Sequence, residues 1–189
     1  MRWVARSTLV AALVAAVALV APSVSFGQGG FREDFEGPNV SWKLIDADTR
    51  YNLAQHRRTK GEGHRQSGCE VLQLSAANGT FIYAMHPVPE GRIIEDLQIG
   101  LWLRADRPSV QLLARVVFPH ALHPREGQPV TAYLRGPSYS NVGGWQQLRF
   151  DGLTTLFARQ VRALRLEHGS NIDVREAYID QLLVNVYGG

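Results

Sequence analysis

Glu33-Asp34-Phe35-Glu36-Gly37-Pro38 packs three carboxylates around one phenylalanine, and paired carboxylates are the side chains that break glycosidic bonds. Such a pair stands about 5–9 Å apart across a sugar, and one member needs an apolar setting that raises its pKa. In an extended segment Asp34 and Glu36 share one face while Glu33 and Phe35 share the other, so the spacing is available. The apolar setting is not, because no apolar residue adjoins that face. The segment reads instead as the start of a first strand, with Phe35 turned to the core. No Gly-x-Ser-x-Gly elbow, Cys/His pair or phosphate-cradling loop occurs elsewhere. No catalytic residue is assigned, and the chain reads as a non-enzymatic, ancillary domain.

Other groupings suit binding rather than bond breaking. His56-Arg57-Arg58-Thr59-Lys60, with His64-Arg65, could grip the sulfate or uronate groups of an acidic glycan, since the guanidinium fork matches such oxyanions. A solvated strand and loop explain the same residues without a ligand. His120-x-x-His123 has a spacing seen in metal sites, but prolines flank it and no third ligand is evident, so it reads as a surface loop. Asn78-Gly79-Thr80 fits a glycosylation sequon and is first a turn signal. Cys69, the one cysteine, excludes an internal disulfide and reads as a small buried filler.

Aromatic rings decide whether a surface takes sugars, because pyranose rings lay their C–H faces on them. Tyr83, Tyr133 and Tyr139 are the candidate platform, the last two flanking the Arg135-Gly136-Pro137 turn where their hydroxyls can stay wet. Trp102 opposes the face formed by Leu97, Ile99, Leu101 and Leu103, and is the remaining aromatic candidate.

The elements that must hold these residues are mostly strands. Short alternating or continuous apolar runs are broken by Gly, Pro, Asn and Asp: Val71–Leu74, Thr80–His86, Leu97–Arg104, Val110–Phe118 stopped by Pro119, Thr131–Leu134, Trp145–Phe150 and Tyr178–Val186. Between Leu153 and Leu166 helical and alternating patterns overlap, and the reading is a short helix at 153–159 followed by a strand. Many short strands and few helices predict an all-β antiparallel sandwich, most simply a jelly roll.

Residues 1–27 have the three regions of a secretory signal peptide: Arg2 and Arg6, then thirteen uncharged residues from Leu9 to Ala21, then Pro22-Ser23-Val24-Ser25-Phe26-Gly27. A bilayer span needs about 20 apolar residues, so neither this stretch nor any later one is expected to cross a membrane. The expected mature part, 28–189, is one domain in length, secreted or periplasmic. Without Arg2 and Arg6 it carries 18 basic against 17 acidic residues, which argues against a nucleic-acid partner.

The order of motifs resembles the galactose-binding-like jelly rolls that serve as carbohydrate-binding modules in secreted bacterial polysaccharide-degrading proteins. It runs Glu-Asp-Phe-Glu-Gly with Trp42, Ser67-Gly68-Cys69-Glu70-Val71-Leu72-Gln73-Leu74, Leu101-Trp102-Leu103-Arg104-Ala105, Gly144-Trp145-Gln146-Gln147-Leu148 and Ala177-Tyr178-Ile179-Asp180. From Gln111 onward it looks like the N-terminal domain of large exported proteins in which a glycoside-hydrolase-like barrel follows. The resemblance implies a polysaccharide or other glycan as partner, a catalytic domain downstream, and a further strand after Tyr187-Gly188-Gly189. Either that strand is missing, which would leave an open sheet edge, or Tyr178–Val186 closes the sheet. It also implies a structural calcium held by Glu36, Glu62 and Asp180, with carbonyls near Asp34 and Arg65, since Ca²⁺ takes six to eight oxygens. The alternative is that Glu36 caps a turn and Glu62 is solvated. Two functions are thus implied chiefly by the resemblance: a non-catalytic glycan-binding module of an exported polysaccharide-processing protein, or a structural domain of the same architecture that packs against a catalytic barrel or another partner.

Overall fold

The computed structural model describes residues 9–14, 30–124, 126–169 and 172–187. Among the described residues ten strands and one α-helix follow in order: β1 (Leu9–Val14), β2 (Lys43–Ala47), β3 (Tyr51–Thr59), β4 (Cys69–Ala76), β5 (Ile82–Arg92), β6 (Gly100–Ala105), β7 (Gln111–Leu122), β8 (Pro129–Ser138), β9 (Gln146–Arg149), α1 (Leu153–His168) and β10 (Tyr178–Asn185), with a short 3-10 turn at His64–Gln66. They form two five-stranded antiparallel sheets. Sheet A has the order β3-β4-β1-β6-β9 and sheet B the order β2-β5-β10-β7-β8.

The seven expected strands appear as β4 to β10 without β1 to β3, which carry weaker signals: β3, for instance, is Tyr-Asn-Leu-Ala-Gln-His-Arg-Arg-Thr, polar at most positions. One core joins the sheets. Leu72, Leu74, Leu101, Leu103 and Leu148 enter it from sheet A, and Ile82, Ala84, Leu112, Ala114, Val116, Leu134, Leu182 and Val184 from sheet B. Alternation explains this, since residues two apart on a strand face the same side.

Three expectations change. Pro119 does not end its strand: β7 runs on to Leu122, and the pairing with β8 slips between Phe118 and Leu122, the kind of irregularity that accommodates a residue with no N–H. The strand expected after residue 159 is instead the continuation of α1, whose Leu153, Val161 and Leu164 are buried at helical spacing while Leu166 is 91% exposed. The Glu33–Gly37 segment is not a strand, because Phe35 adopts φ 59° and breaks the alternation that set Asp34 beside Glu36. Phe35 is nonetheless buried, as expected.

Of the expected signal peptide, residues 1–8 and 15–27 lie outside the described residues. Leu9–Val14 forms the central strand of sheet A, antiparallel to both β4 and β6. Tyr178–Asn185 is central in sheet B, between β5 and β7, and so is not a closing edge strand.

Candidate binding face on sheet B

Strand parity divides sheet B into two faces. Leu182 and Val184 point into the core, so Leu183 between them points out, in line with Met85 on β5 and Leu113 on β7. Leu183 and Leu113 are 0% and 2% exposed all the same. Rings from the flanking strands meet above the same face. Tyr83, one row from Met85 on β5, and Tyr133, on β8, are separated by the two strands β10 and β7, yet their ring centroids lie 5.9 Å apart at 54°. Adjacent strands are spaced about 4.8 Å apart, so a flat sheet would hold the two backbones about 14 Å apart. The side chains therefore lean together over the Leu183–Leu113 row. Phe81 stacks on Tyr83 at 4.6 Å and extends the aromatic surface.

A polar row runs beside the rings. Arg115 pairs in register with both Gln181 and Tyr133. The β10 register shifts between Ile179 and Gln181, which places Asp180 at a bulge and turns it to this face. Arg115 Nε donates to Asp180 Oδ1 at 2.9 Å, and Nη2 donates to Oδ2. This two-point pairing with the Asp180 carboxylate raises the Arg115 pKa further. Burial pushes the Tyr133 phenol up, opposed by the Arg115 charge and assisted by Tyr83, Asp46 and Asp180. The phenol therefore stays protonated at neutral pH and can donate a hydrogen bond. Tyr133 is 39% exposed, which leaves part of its ring to solvent. Stacked rings beside a fixed charge pair can hold a ring-shaped polyol by C–H contact and by hydrogen bonds to its hydroxyls.

The remaining sequence candidates lie elsewhere. Tyr139 does not join this platform: it is 1% exposed, and its hydroxyl donates toward the carbonyls of Gly144 at 2.7 Å, Ala105 at 3.1 Å and Asn141. That corner needs a buried hydroxyl, so neither ring face nor oxygen is left for a ligand. Trp102 lies on sheet A, where His64 stacks on it at 3.5 Å and 12° and covers one ring face. Arg57 is exposed on β3. Arg58 is committed to the fold. It donates to Glu33 Oε1 at 3.2 Å, to the Gly37 carbonyl at 3.4 Å and to Glu70 Oε2 at 3.4 Å, with its guanidinium 5.1 Å from the Phe35 ring centroid.

Glu36, Glu62 and Asp180 do not form one ligand set. Both Asp180 oxygens take the Arg115 guanidinium, so that carboxylate does not fit a calcium role. Glu36 Oε1 accepts the Gly68 amide at 2.5 Å, and Glu62 is exposed at the start of the Gly63–Gly68 loop. That loop presses close to Glu36: a Cβ on Gly68 would come within 2.6 Å of the Phe35 carbonyl oxygen and 3.1 Å of Glu36 Oε1. Among the described residues no group of three or more His, Cys, Asp or Glu is arranged to hold a metal ion. His120 Nε2 lies 2.9 Å from Glu176 Oε2 in an exposed hydrogen-bonded contact.

Two residues escaped the sequence reading. Arg115 sat in a nearly continuous apolar run, and its signal was that one charge at an outward position of β7. Glu70 sat inside Cys-Glu-Val-Leu with no distinguishing pattern. It is 0% exposed and accepts from Ser41 N at 2.8 Å, Ser41 Oγ at 3.1 Å, Trp42 N at 2.9 Å and Arg58 at 3.4 Å, with His56 Nε2 at 2.7 Å. A buried carboxylate is tolerable only with such partners.

Comparison of the chain with family models, curated proteins and solved structures gives no significant match. No helix among the described residues is long and apolar enough to cross a membrane.

Proposed function

We propose that the chain is a non-catalytic carbohydrate-binding-like module of an exported polysaccharide-processing protein, of jelly-roll type, and that it takes a glycan on the outer face of sheet B. The observation that carries this reading is the meeting of Tyr83 and Tyr133 over buried Leu183 and Leu113, beside the Arg115–Asp180 pair. A docking domain would be expected to carry a broad aliphatic patch. Among the described residues the exposed large aliphatics, Val40, Ile45, Leu53, Ile94, Leu122, Val142 and Leu166, come from different loops, strands and the helix. The Arg115–Asp180 pair is neutral as a whole and offers hydrogen bonds to the hydroxyls of a glycan.

The test is retention on neutral and acidic polysaccharides in affinity electrophoresis, followed by a glycan array. Tyr83→Ala and Tyr133→Ala are expected each to weaken retention about tenfold, corresponding to ~1.4 kcal/mol, while Tyr51→Ala on sheet A leaves it unchanged. Equal retention of all three variants, or of none including the parent, overturns the reading.

The calcium implied by the resemblance would rest on Glu36 and Glu62 with carbonyl oxygens of the adjoining loop, without Asp180. Bound structurally, it would raise the melting temperature of the full chain. A melt that is unchanged by calcium or by chelator, with no heat of titration, removes the ion from the proposal.

A further inference from the structure

The outer face of sheet B carries a second aromatic station, on the far side of the Arg115–Asp180 pair from Tyr83. Tyr178 opens β10 and pairs in register with Val117 on β7 and Arg92 on β5. Its neighbour Ile179 enters the core, so strand alternation turns Tyr178 to the outer face, where it is half-buried. Val116 likewise enters the core and sets Val117 on the outer face, two residues from Arg115. Val117 is nonetheless only 6% exposed. An aromatic residue beside a buried aliphatic thus occurs twice on this face: Tyr178 beside Val117, and the Tyr83 and Tyr133 rings at the Leu183–Leu113 row.

The spacing of the two stations decides what can use both. Leu113 pairs with Leu183 and Val117 with Tyr178, which puts the stations about 13 Å apart at the rise of a strand. A single sugar ring does not reach from one to the other. On β7 and β10 the interval holds Arg115, Asp180 and Gln181, groups that form hydrogen bonds and do not stack. Both Tyr133 and Tyr178 lie within electrostatic reach of Arg115. Burial, Glu90 and Asp180 push the Tyr178 phenol up against the opposing Arg115 charge, so it stays protonated and its hydroxyl can donate.

We infer that Tyr178 is a further binding residue, the distal station of a path along β10 and β7 that takes an extended oligosaccharide. One sugar lies on the Tyr83 and Tyr133 rings, the middle of the chain is held by hydrogen bonds at Arg115 and Asp180, and another sugar lies against Tyr178. The inference rests on the glycan reading of this face and narrows its ligand to a stretch of a linear polysaccharide, since a lone sugar would reach one station only. Arg115 and Asp180 neutralise each other, so the middle of the path suits hydroxyls rather than sulfate or uronate groups.

The experiment is calorimetric titration of the full chain with neutral β-linked gluco-, manno- and xylo-oligosaccharides, each as a disaccharide and a hexasaccharide. Joining two stations through one ligand is expected to make the hexasaccharide of the recognised series bind at least about tenfold tighter than its disaccharide. Tyr178→Ala is expected to remove that gain and to leave the disaccharide within about twofold of the parent, whereas Tyr83→Ala weakens both. Tyr178→Phe keeps the ring and is expected to retain the hexasaccharide affinity within about threefold. The length dependence of the parent is read without any variant, so it stays decisive even where Tyr178→Ala fails to fold. Equal affinity for the two lengths, or a folded Tyr178→Ala chain that keeps the gain, overturns the inference. If the disaccharide still binds and depends on Tyr83, the glycan reading survives that failure. Binding of no neutral sugar of either length also overturns the inference, and retention on acidic polysaccharide then decides the glycan reading on its own.

Discussion

Two buried titratable side chains near the entry of the chain behave in opposite ways. Glu70 has a partner at each oxygen: Ser41, Trp42 and Arg58 donate to it, and His56 Nε2 lies 2.7 Å from Oε1. His86 is 3% exposed among the rings of Phe31, Phe35 and Trp42, and no hydrogen bond of standard geometry reaches its ring nitrogens. Burial pushes its pKa below the ordinary 6.5, against the pull of the Glu33 carboxylate, the Ser41 backbone and Glu70. As pH falls through about 6.5 the unfolded chain binds this proton and the folded chain does not, so stability is present above that pH and lost below it. The melting temperature is expected to fall more steeply between pH 7 and 5 in the parent than in His86→Phe; parallel curves would refute a neutral His86. At this scale the sequence was informative where function needs exposure. Tyr83 and Tyr133 were recognisable as aromatic residues in alternating strands. Tyr139 was not distinguishable from them, because its burial depends on carbonyls of Ala105 and Gly144, 34 and 5 residues away.

The elements show where pattern reading is ambiguous and how packing resolves it. Val161 to Leu166 fits a period of two nearly as well as a period of 3.6, and only the helix separates Leu164 from Leu166. In α1 Leu164 is 5% and Leu166 91% exposed, whereas a strand would set both on one face. Leu164→Asp is therefore expected to cost about 3 kcal/mol or more by burying an unpaired charge, and Leu166→Asp to stay within about 0.5 kcal/mol of the parent. Equal costs in urea melts would contradict the helix. The strands from β4 onward were legible because Val, Ile, Leu and aromatic residues alternate there. β2 and β3 were not, since β3 lies at the edge of sheet A and carries His56, Arg57 and Arg58 in place of apolar residues.

Across the whole molecule, mostly β architecture was readable from composition and punctuation, while strand order was not. No local pattern says that β10 inserts between β5 and β7, or that Leu9–Val14 lies between β4 and β6. The same limit hid the sheet B face, where Tyr83 of β5 meets Tyr133 of β8 across two intervening strands. One consequence of the Glu70 network concerns force. Tension drawn along the chain from residue 30 toward β2 first meets Glu33 on Arg58, then buried Phe35, then the Ser41 and Trp42 amides on Glu70. These attachments lie in series along the chain and must yield one after another, so a pull applied at residue 30 would be arrested at Glu70 before it could peel β2 from sheet B.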